Sequence, residues 1–220
     1  MKLYFIRHGK TQWNLESRYQ GSGGDSPLLP ESFQQMDEIG DFLKSTPFAH
    51  IYSSPIKRAR ITAGRIKQRI DQPQVPLTLM NRLQEFDLGQ MEGKTFAEVE
   101  RRFPKAFDAF RNHPDQYQAA EVGGESFTDV IHRMTPGIQQ IIAANPGETD
   151  NVMVVSHGAA LNAEINALLG VPLAELRKRG GLSNTSLTVL ETVDNGKTFT
   201  LNVWNETGFL RAQPTKTDTI

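Results

Sequence analysis

The sequence predicts an α/β fold, a three-layer α/β/α sandwich with a mostly parallel central sheet and an antiparallel edge strand. Two apolar, β-prone runs, Lys2–Ile6 and Asn151–Val155, are separated by segments whose apolar residues recur at helical spacing. Such alternation of strands and helices is typical of a parallel sheet covered on both faces. Near the end, Thr185–Glu191 and Thr198–Trp204 flank Asp194-Asn195-Gly196, a pattern that predicts a hairpin.

The elements of the first half follow from periodicity and from turn residues. Glu31–Ser45 carries apolar residues at helical spacing, and Phe48–Tyr52 is predicted to form a short strand. After that strand, Ser54 is expected to cap a helix with Pro55 in its first turn. Pro76–Met80 is predicted to form another short strand.

The second half repeats this alternation. A long helix is expected to open at Gly124-Glu125-Ser126 and to stop at Asn145-Pro146-Gly147. After the strand Asn151–Val155, a helix with an apolar side is predicted to follow Gly158. The chain therefore supplies the helices needed for both outer layers.

The length of the chain is consistent with a single domain. The 220 residues fit one domain, for which we expect residues 1–211, followed by a disordered polar tail, 212–220. Within the domain, residues 94–122 are predicted to form an aromatic-rich helical insertion near the site, and the alternative is that these aromatic residues belong to the core. Thr95 and Glu98 form a capping box at its start, and Pro104 interrupts its first helix.

Composition excludes several classes of function. The chain has no cysteine, so disulfides, thiolate metal sites and cysteine nucleophiles are excluded. Its net charge of −1 indicates no general affinity for nucleic acid or membranes. It has neither an apolar run of membrane-spanning length nor a signal-peptide pattern, so we expect a soluble cytoplasmic protein. Oligomeric state is left open.

The most informative pattern is a pair of strands that both end in His-Gly. Arg7-His8-Gly9 follows the first apolar run, and Ser156-His157-Gly158 follows the second. Arg58 lies in the first turn of a helix that follows another strand, and Glu85 lies in a glycine-flanked loop. Ligands bind beyond the carboxyl ends of strands in open α/β sheets, so these side chains are expected to share one crevice. The remaining histidines are expected to be surface or packing residues: His50, His113 and His132.

These motifs resemble the histidine phosphatase superfamily, in the branch that includes cofactor-dependent phosphoglycerate mutases. The resemblance extends from about Leu3 to about Leu190 and rests on the following residues: Arg7-His8-Gly9, Thr11 and Asn14; Gln20-Gly21, Asp25, Pro27 and Leu28; Ser53-Ser54-Pro55, Arg58-Ala59 and Thr62-Ala63; Leu83, Glu85, Leu88-Gly89 and Glu92-Gly93; Gly124-Glu125-Ser126; and Val154-Val155-Ser156-His157-Gly158. Lys10 and Gly23-Gly24 depart from the family pattern, in positions that concern substrate preference.

The resemblance implies a role for each candidate residue. His8 is the nucleophile that forms a phosphohistidine, and Arg7, Arg58 and His157 bind and stabilise the transferred phosphoryl group. Glu85 is the candidate proton donor to the leaving group. Further phosphate- or substrate-binding residues are expected at Thr11, Asn14, Gln20, Gly21 and Gly158. No metal is expected, because the arginines take its electrostatic role.

The expected activity is metal-independent hydrolysis of phosphomonoesters, with a small phosphorylated metabolite as substrate and no cofactor. A cofactor-dependent phosphoglycerate mutase, which would use 2,3-bisphosphoglycerate, is the competing hypothesis. We favour hydrolysis because the segment between Glu92 and Gly123 lacks the tryptophan- and proline-rich basic signature of mutases. Two less favoured hypotheses are a non-catalytic family member that binds phosphorylated ligands and a metal site built on the two strand-end histidines.

Overall fold

The computed structural model describes residues 1–219 and contains a six-stranded sheet. Its strands are β1 (Lys2–Arg7), β2 (His50–Ser53), β3 (Leu77–Leu79), β4 (Asn151–Ser156), β5 (Leu187–Glu191) and β6 (Thr200–Glu206). Their order across the sheet is β3-β2-β4-β1-β5-β6. The first four strands are parallel, whereas β5 runs antiparallel to both β1 and β6. The predicted parallel-rich sheet with an antiparallel hairpin at one edge is confirmed.

Helices cover both faces of this sheet. They are α1 (Gln12–Leu15), α2 (Pro30–Leu43), α3 (Lys57–Arg69), α4 (Phe96–Arg102), α5 (Pro104–Asn112), α6 (Phe127–Ala144) and α7 (Gly158–Leu168). One core cluster joins Phe5 and Val154 to α5, α6 and α7, and the other joins Ile6 and Val155 to α2 and α3. Successive strand residues therefore face opposite layers, as the pleat requires. None of the helices in residues 1–219 is long and apolar enough to cross a membrane.

The start of α3 differs from the prediction. Ile56 is the N-cap residue and makes no side-chain capping bond, so Ser54 is not the cap. The Ser54 hydroxyl accepts a weak hydrogen bond from Ile56 N at 3.3 Å and lies 2.7 Å from Nε2 of His157. Local sequence favours a serine cap at this place, but the hydroxyl is instead used by a histidine that follows another strand.

Residues 94–122 form α4, α5 and two short 3₁₀ turns, Pro114–Gln116 and Ala119–Glu121. The predicted capping box is confirmed: the Thr95 side chain accepts from Glu98 N, and Glu98 accepts from Thr95 N at 2.7 Å. The aromatic residues of this segment join the core cluster on the α6 and α7 face of the sheet.

The end of the chain differs from the expected disordered tail. Residues 216–218 form a 3₁₀ turn, and Asp218 is buried. Its carboxylate forms an ion pair with Lys10 at 2.9 Å, and it also accepts hydrogen bonds from Thr215. The polar composition of this segment predicted that it would be solvated and disordered. Instead, the carboxylate of Asp218 is paired with Lys10, near the start of the chain.

Candidate active site

Two neighbouring parallel strands bring the histidines together. Arg7 at the end of β1 lies opposite Ser156 at the end of β4, so His8 and His157 leave the sheet at the same level. Their ring centroids are 5.2 Å apart, and both side chains are buried. The strand register therefore places two imidazoles, nearly 150 residues apart in sequence, in the one crevice that was predicted.

His8 is held as a neutral imidazole with an unprotonated Nε2. Its Nδ1 lies 2.8 Å from the carbonyl oxygen of Gly9, which can only accept, so the proton is on Nδ1. Nε2 then accepts a hydrogen bond from Nε of Arg58 at 3.2 Å. Burial, together with the charges of Arg58 and Arg7, holds the pKa of His8 well below its usual value. An unprotonated imidazole in this orientation can attack an electrophile placed beside Nε2.

Arg7 keeps part of its guanidinium available for an anion. Its Nη1 donates to the carbonyl oxygens of Leu182 at 2.5 Å and Asp218 at 2.6 Å. Among residues 1–219, no partner is found for its buried Nε and Nη2 atoms. Burial lowers the pKa of Arg7 to about 10, and the nearby Glu85 carboxylate opposes that effect. A side chain at Gly158 would bring its Cβ within 2.9 Å of Arg7 Nε, so glycine leaves room for the guanidinium.

Arg58 is fixed by the glycine-rich loop that follows α1. Its Nη1 donates to the Gly24 carbonyl at 2.7 Å, and its Nη2 donates to the Gly21 carbonyl at 3.0 Å. The Gln20 side chain is best oriented with its amide oxygen toward Arg58, where it accepts at 3.0 Å. This loop therefore aims Arg58 at His8, while burial lowers the pKa of the Arg58 guanidinium.

His157 has one ring nitrogen that is paired and one that is not. Its Nε2 lies 2.7 Å from the hydroxyl of Ser54, whereas its Nδ1 is buried and has no partner in the described part of the chain. Burial, followed by the charge of Arg58, holds the pKa of His157 well below its usual value. His157 is also the residue immediately before α7, and a helix amino terminus favours an anion nearby.

Glu85 is buried at the amino terminus of α7. Its carboxylate accepts hydrogen bonds from the backbone N–H groups of Phe86 at 3.0 Å, Ala159 at 3.1 Å and Ala160 at 2.8 Å. Arg133 holds the loop before it by donating to the Gln84 carbonyl at 3.1 Å. Glu85 is near enough to Arg7 and Arg58 to influence the pKa of both, so the predicted carboxylate lies in the same region as the four cationic and imidazole groups.

Four of the remaining predicted binding residues contact one another or the loop that holds Arg58. Thr11 and Asn14 form a capping box at the start of α1, and the Asn14 oxygen accepts from Thr11 N at 3.1 Å. The Gln20 amide lies 3.0 Å from the Thr11 hydroxyl, which links this cap to the Arg58 loop. A Cβ at Gly21 would collide with the backbone oxygen of Phe86. The structure thus places these four residues around Arg58 and α1.

Three contributors were not foreseen from the sequence. Ser54 is the partner of His157, and Asn184 donates to the backbone carbonyl of His8 at 3.0 Å. Asp218 contacts Arg7 through its backbone carbonyl and Lys10 through its side chain. Burial opposes ionisation of Asp218, but hydrogen bonds from Thr215 and Lys10 prevail and lower its pKa. Two sequence signals pointed toward them: Ser54 lies in the Ser53-Ser54-Pro55 motif, and Lys10, the partner of Asp218, departs from the family pattern.

The arrangement does not favour a metal ion between the two histidines. Nε2 of His8 faces the positively charged Arg58, and Nε2 of His157 faces a serine hydroxyl. Within residues 1–219, no group of three or more histidine, aspartate or glutamate side chains is placed to hold a metal ion. The charge around His8 is instead suited to an anion.

Comparison with known proteins agrees with this geometry. Residues 3–207 match the family model of the histidine phosphatase superfamily (branch 1). Phosphoglycerate mutase-like protein 4 of Arabidopsis thaliana is 32% identical over 96% of this chain and 90% of its own length.

Two solved structures also cover nearly the whole chain. YhfR of Bacillus stearothermophilus is 34% identical, with a TM-score of 0.85 over 94% of this chain and 98% of its own. A mycobacterial glucosyl-3-phosphoglycerate phosphatase is 31% identical, with a TM-score of 0.84 over 94% of this chain and 99% of its own. The chain described here belongs to branch 1 of the histidine phosphatase superfamily.

Proposed function

We propose that this protein is a phosphatase that hydrolyses phosphomonoesters of small metabolites through a phosphohistidine at His8. The observation that carries the proposal is the state of His8: a buried neutral ring whose Nδ1 is fixed by Gly9 and whose Nε2 lies beside Arg58. The relatives named as phosphatases among the solved structures support hydrolysis as the outcome.

In the first step, His8 Nε2 attacks phosphorus and the bond from phosphorus to the ester oxygen breaks. Negative charge is spread over the three remaining phosphoryl oxygens, so catalysis depends on positioning and on charge stabilisation. The free Nε and Nη2 donors of Arg7 suit two of these oxygens, since a guanidinium binds such groups in a bidentate manner. We assign the third oxygen to His157, whose ring lies 5.2 Å from that of His8, and to Arg58, whose Nε lies 3.2 Å from His8 Nε2.

Glu85 completes the reaction as the group that moves protons. It donates a proton to the departing ester oxygen, which otherwise leaves as an unstable alkoxide. The same carboxylate then takes a proton from water, which attacks phosphorus, releases phosphate and returns His8 to its neutral form. The backbone N–H groups of Phe86, Ala159 and Ala160 fix the carboxylate in position for both steps.

The proposed chemistry needs no metal and no cofactor, because Arg7 and Arg58 supply the positive charge that a metal supplies elsewhere. Phosphate release should therefore be unchanged when a chelator is added. Loss of activity in chelator, restored by a divalent metal, would contradict this part of the proposal.

A mutase is the second candidate, and the name of the Arabidopsis thaliana relative favours it. A mutase would return the phosphoryl group from His8 to a bound phosphoglycerate and would depend on 2,3-bisphosphoglycerate. Hydrolysis and transfer share the first step, so the two candidates differ in the acceptor that follows it. Release of inorganic phosphate without added bisphosphoglycerate supports the phosphatase, and interconversion of phosphoglycerates that requires it supports the mutase.

The test combines a substrate panel with a variant. Sugar, glycerate and nucleotide phosphates, together with p-nitrophenyl phosphate, are assayed for phosphate release by the full chain. Brief reaction with a ³²P-labelled ester should label the protein, and His8→Ala should abolish both label and turnover. His113→Ala, at an exposed histidine, is the matched control and should retain both. Turnover and labelling that persist in His8→Ala would overturn the proposed function.

A further inference from the structure

The Gly124-Glu125-Ser126 motif has no role in the steps above, yet its glutamate belongs to a bidentate ion pair near Glu85. Ser126 is the N-cap residue of α6, and Arg133 lies within that helix. Nε of Arg133 donates to Oε1 of Glu125 at 2.9 Å, and Nη2 donates to Oε2 at 2.9 Å. The two side chains are only 21% and 25% exposed, so solvent ions screen the pair less than they screen a surface pair. The pair therefore fixes the orientation of the guanidinium.

Arg133 also binds the backbone of residues 82–87, called here the Glu85 loop. Its Nη1 donates to the carbonyl oxygens of Arg82 at 2.9 Å and Gln84 at 3.1 Å, and its Nη2 donates to the carbonyl oxygen of Glu85 at 3.3 Å. An arginine has five N–H donors in a rigid planar arrangement, and together with the two bonds to its carboxylate partner all five are used. One rigid group thus holds the loop at three carbonyl oxygens.

Glu125 binds the other end of the Glu85 loop. Its Oε2 accepts a hydrogen bond from the backbone N–H of Asp87 at 2.9 Å, and its own backbone N–H donates to the carbonyl oxygen of Asp87 at 2.8 Å. Gly124 has no room for a side chain, because a Cβ there would collide with the same carbonyl oxygen. The main chain is therefore fixed both before and after Glu85.

The position of the Glu85 carboxylate depends on this main chain. The carboxylate is buried and accepts hydrogen bonds from the backbone N–H groups of Ala159 and Ala160, in the first turn of α7. Residues 84–88, in contrast, have no regular secondary structure that would fix the Cα of Glu85. A displacement of a catalytic group by about 1 Å can reduce a rate about 100-fold. Contacts that fix the Glu85 loop therefore bear directly on proton transfer.

From these contacts we infer that Arg133, oriented by Glu125, positions Glu85 for proton transfer to the ester oxygen. The inference rests on the proposed function and deepens it: Arg133 is a positioning residue that acts on the substrate only through Glu85. The proton passes from the Glu85 carboxyl group to the ester oxygen as the bond between that oxygen and phosphorus breaks, and Arg133 keeps its own protons. The phosphoryl group is bound by Arg7 and Arg58, so its binding should not depend on Arg133.

The experiment compares two esters whose leaving groups differ in their need for a proton. One is the alkyl phosphate that the wild type hydrolyses best among the sugar, glycerate and nucleotide phosphates, and the other is p-nitrophenyl phosphate. The ratio of their kcat/KM values, alkyl over aryl, measures proton donation, because p-nitrophenolate leaves almost without a proton. In Arg133→Gln we expect kcat/KM to fall about tenfold or more for the alkyl ester and less than about threefold for the aryl ester.

Three further variants test the route of the effect. Glu85→Gln lacks the proton donor, so adding Arg133→Gln to it should not lower the alkyl-to-aryl ratio any further. Arg133→Lys keeps the charge but has three donors on a flexible stem, so it should lower the ratio nearly as much as Arg133→Gln. Glu125→Gln leaves the arginine in place and weakens its orientation, so it should lower the ratio severalfold and keeps the test available should Arg133→Gln unfold.

Arg65→Gln is the matched control. Arg65 also forms a bidentate ion pair, with both carboxylate oxygens of Asp37 at 2.6 Å, but that pair joins α3 to α2. Its loss should leave the alkyl-to-aryl ratio unchanged, whatever it does to the melting temperature. Circular dichroism and the melting temperature of each variant establish that the protein is folded under the assay conditions.

Several results would overturn the inference: an unchanged ratio in folded Arg133→Gln or Glu125→Gln, equal losses on the two esters, or a wild-type ratio in Arg133→Lys. A further loss of ratio when Arg133→Gln is added to Glu85→Gln would also overturn it, since Arg133 would then act by another route. Absence of phosphate release from every ester by the wild type, with no ³²P label on His8, would instead reject the proposed function itself.

Discussion

The buried side chain of Glu164 allows a quantitative prediction of how the stability of the protein depends on pH. This residue lies in α7 and is fully buried. Its Oε2 accepts from the Thr135 hydroxyl at 3.1 Å, while its Oε1 has no partner in residues 1–219. Burial raises the pKa of Glu164 to about 8, although Thr135 and the more distant charge of Arg133 act in the opposite direction. Glu164 is therefore a neutral acid in the folded protein at pH 7.

The consequence is a stability that falls as pH rises. The folded state keeps the Glu164 proton up to a pKa of about 8, whereas the unfolded chain loses it near 4.5. Between these values the folded state binds more protons, so the free energy of unfolding decreases with increasing pH. A separation of about 3.5 pH units corresponds to an upper bound of about 5 kcal/mol. Local relaxation and water entry reduce this bound, and we expect at least about 2 kcal/mol.

Glu164→Gln removes the titration and keeps the shape of the side chain. Between pH 5 and pH 9 the wild type should lose at least about 2 kcal/mol relative to this variant, or roughly 4–8 °C in melting temperature for a chain of this size. Urea unfolding at several pH values measures the difference, with Glu100→Gln, at an exposed glutamate, as the control. Parallel stability profiles for wild type and Glu164→Gln across this range would refute the reasoning.

Four further results are expected. Glu85→Gln should reduce hydrolysis of alkyl phosphates far more than hydrolysis of p-nitrophenyl phosphate, whose leaving group scarcely needs a proton; equal losses would remove Glu85 from the acid role. Gly158→Ala should lower kcat roughly tenfold or more by displacing the Arg7 guanidinium, and an unchanged rate would contradict the close contact. Thr95→Ala should cost about 1 kcal/mol in urea unfolding through loss of the α4 cap, whereas an unmoved midpoint would argue against it. Since burial lowers the pKa of His8 and His157, the unfolded chain binds more protons than the folded state below about pH 6.5, and stability should fall there. Between about pH 6.5 and 5.5 the wild type should lose more stability than a variant with both replaced by Gln; an equal loss would show that these rings are protonated when folded.

The parts of the structure that follow from local sequence could be predicted. The apolar runs that form β1 and β4 are recognisable in the sequence, and both end in His-Gly. Because the carboxyl ends of parallel strands lie at the same edge of a sheet, the two histidines were expected to lie close together. The Thr95–Glu98 capping box also depends on residues three apart, and it is present as expected. In such cases the sequence pattern and the interaction that it predicts lie within a few residues of each other.

The parts that depend on distant contacts could not be predicted. Ser54 has the sequence context of a helix cap, but its hydroxyl is used by a histidine 103 residues later. The ion pair between Lys10 and Asp218 joins residues 208 apart, so the composition of the tail alone suggested disorder. Arg177 lies in an ordinary polar loop, and only the folded chain places its guanidinium over Phe110 and Phe127.

The position of β1 in the sheet has a consequence for how the chain is made. The strand nearest the start of the chain lies between β4 and β5, whose residues begin at 151 and 187. During synthesis β1 therefore stays unpaired until most of the polypeptide has emerged. Its exposed apolar side chains and free backbone hydrogen-bonding groups are prone to aggregation during that time. Fragments that end before β4 lack the parallel neighbour of β1 and also lack His157, so they cannot form the pair of imidazoles.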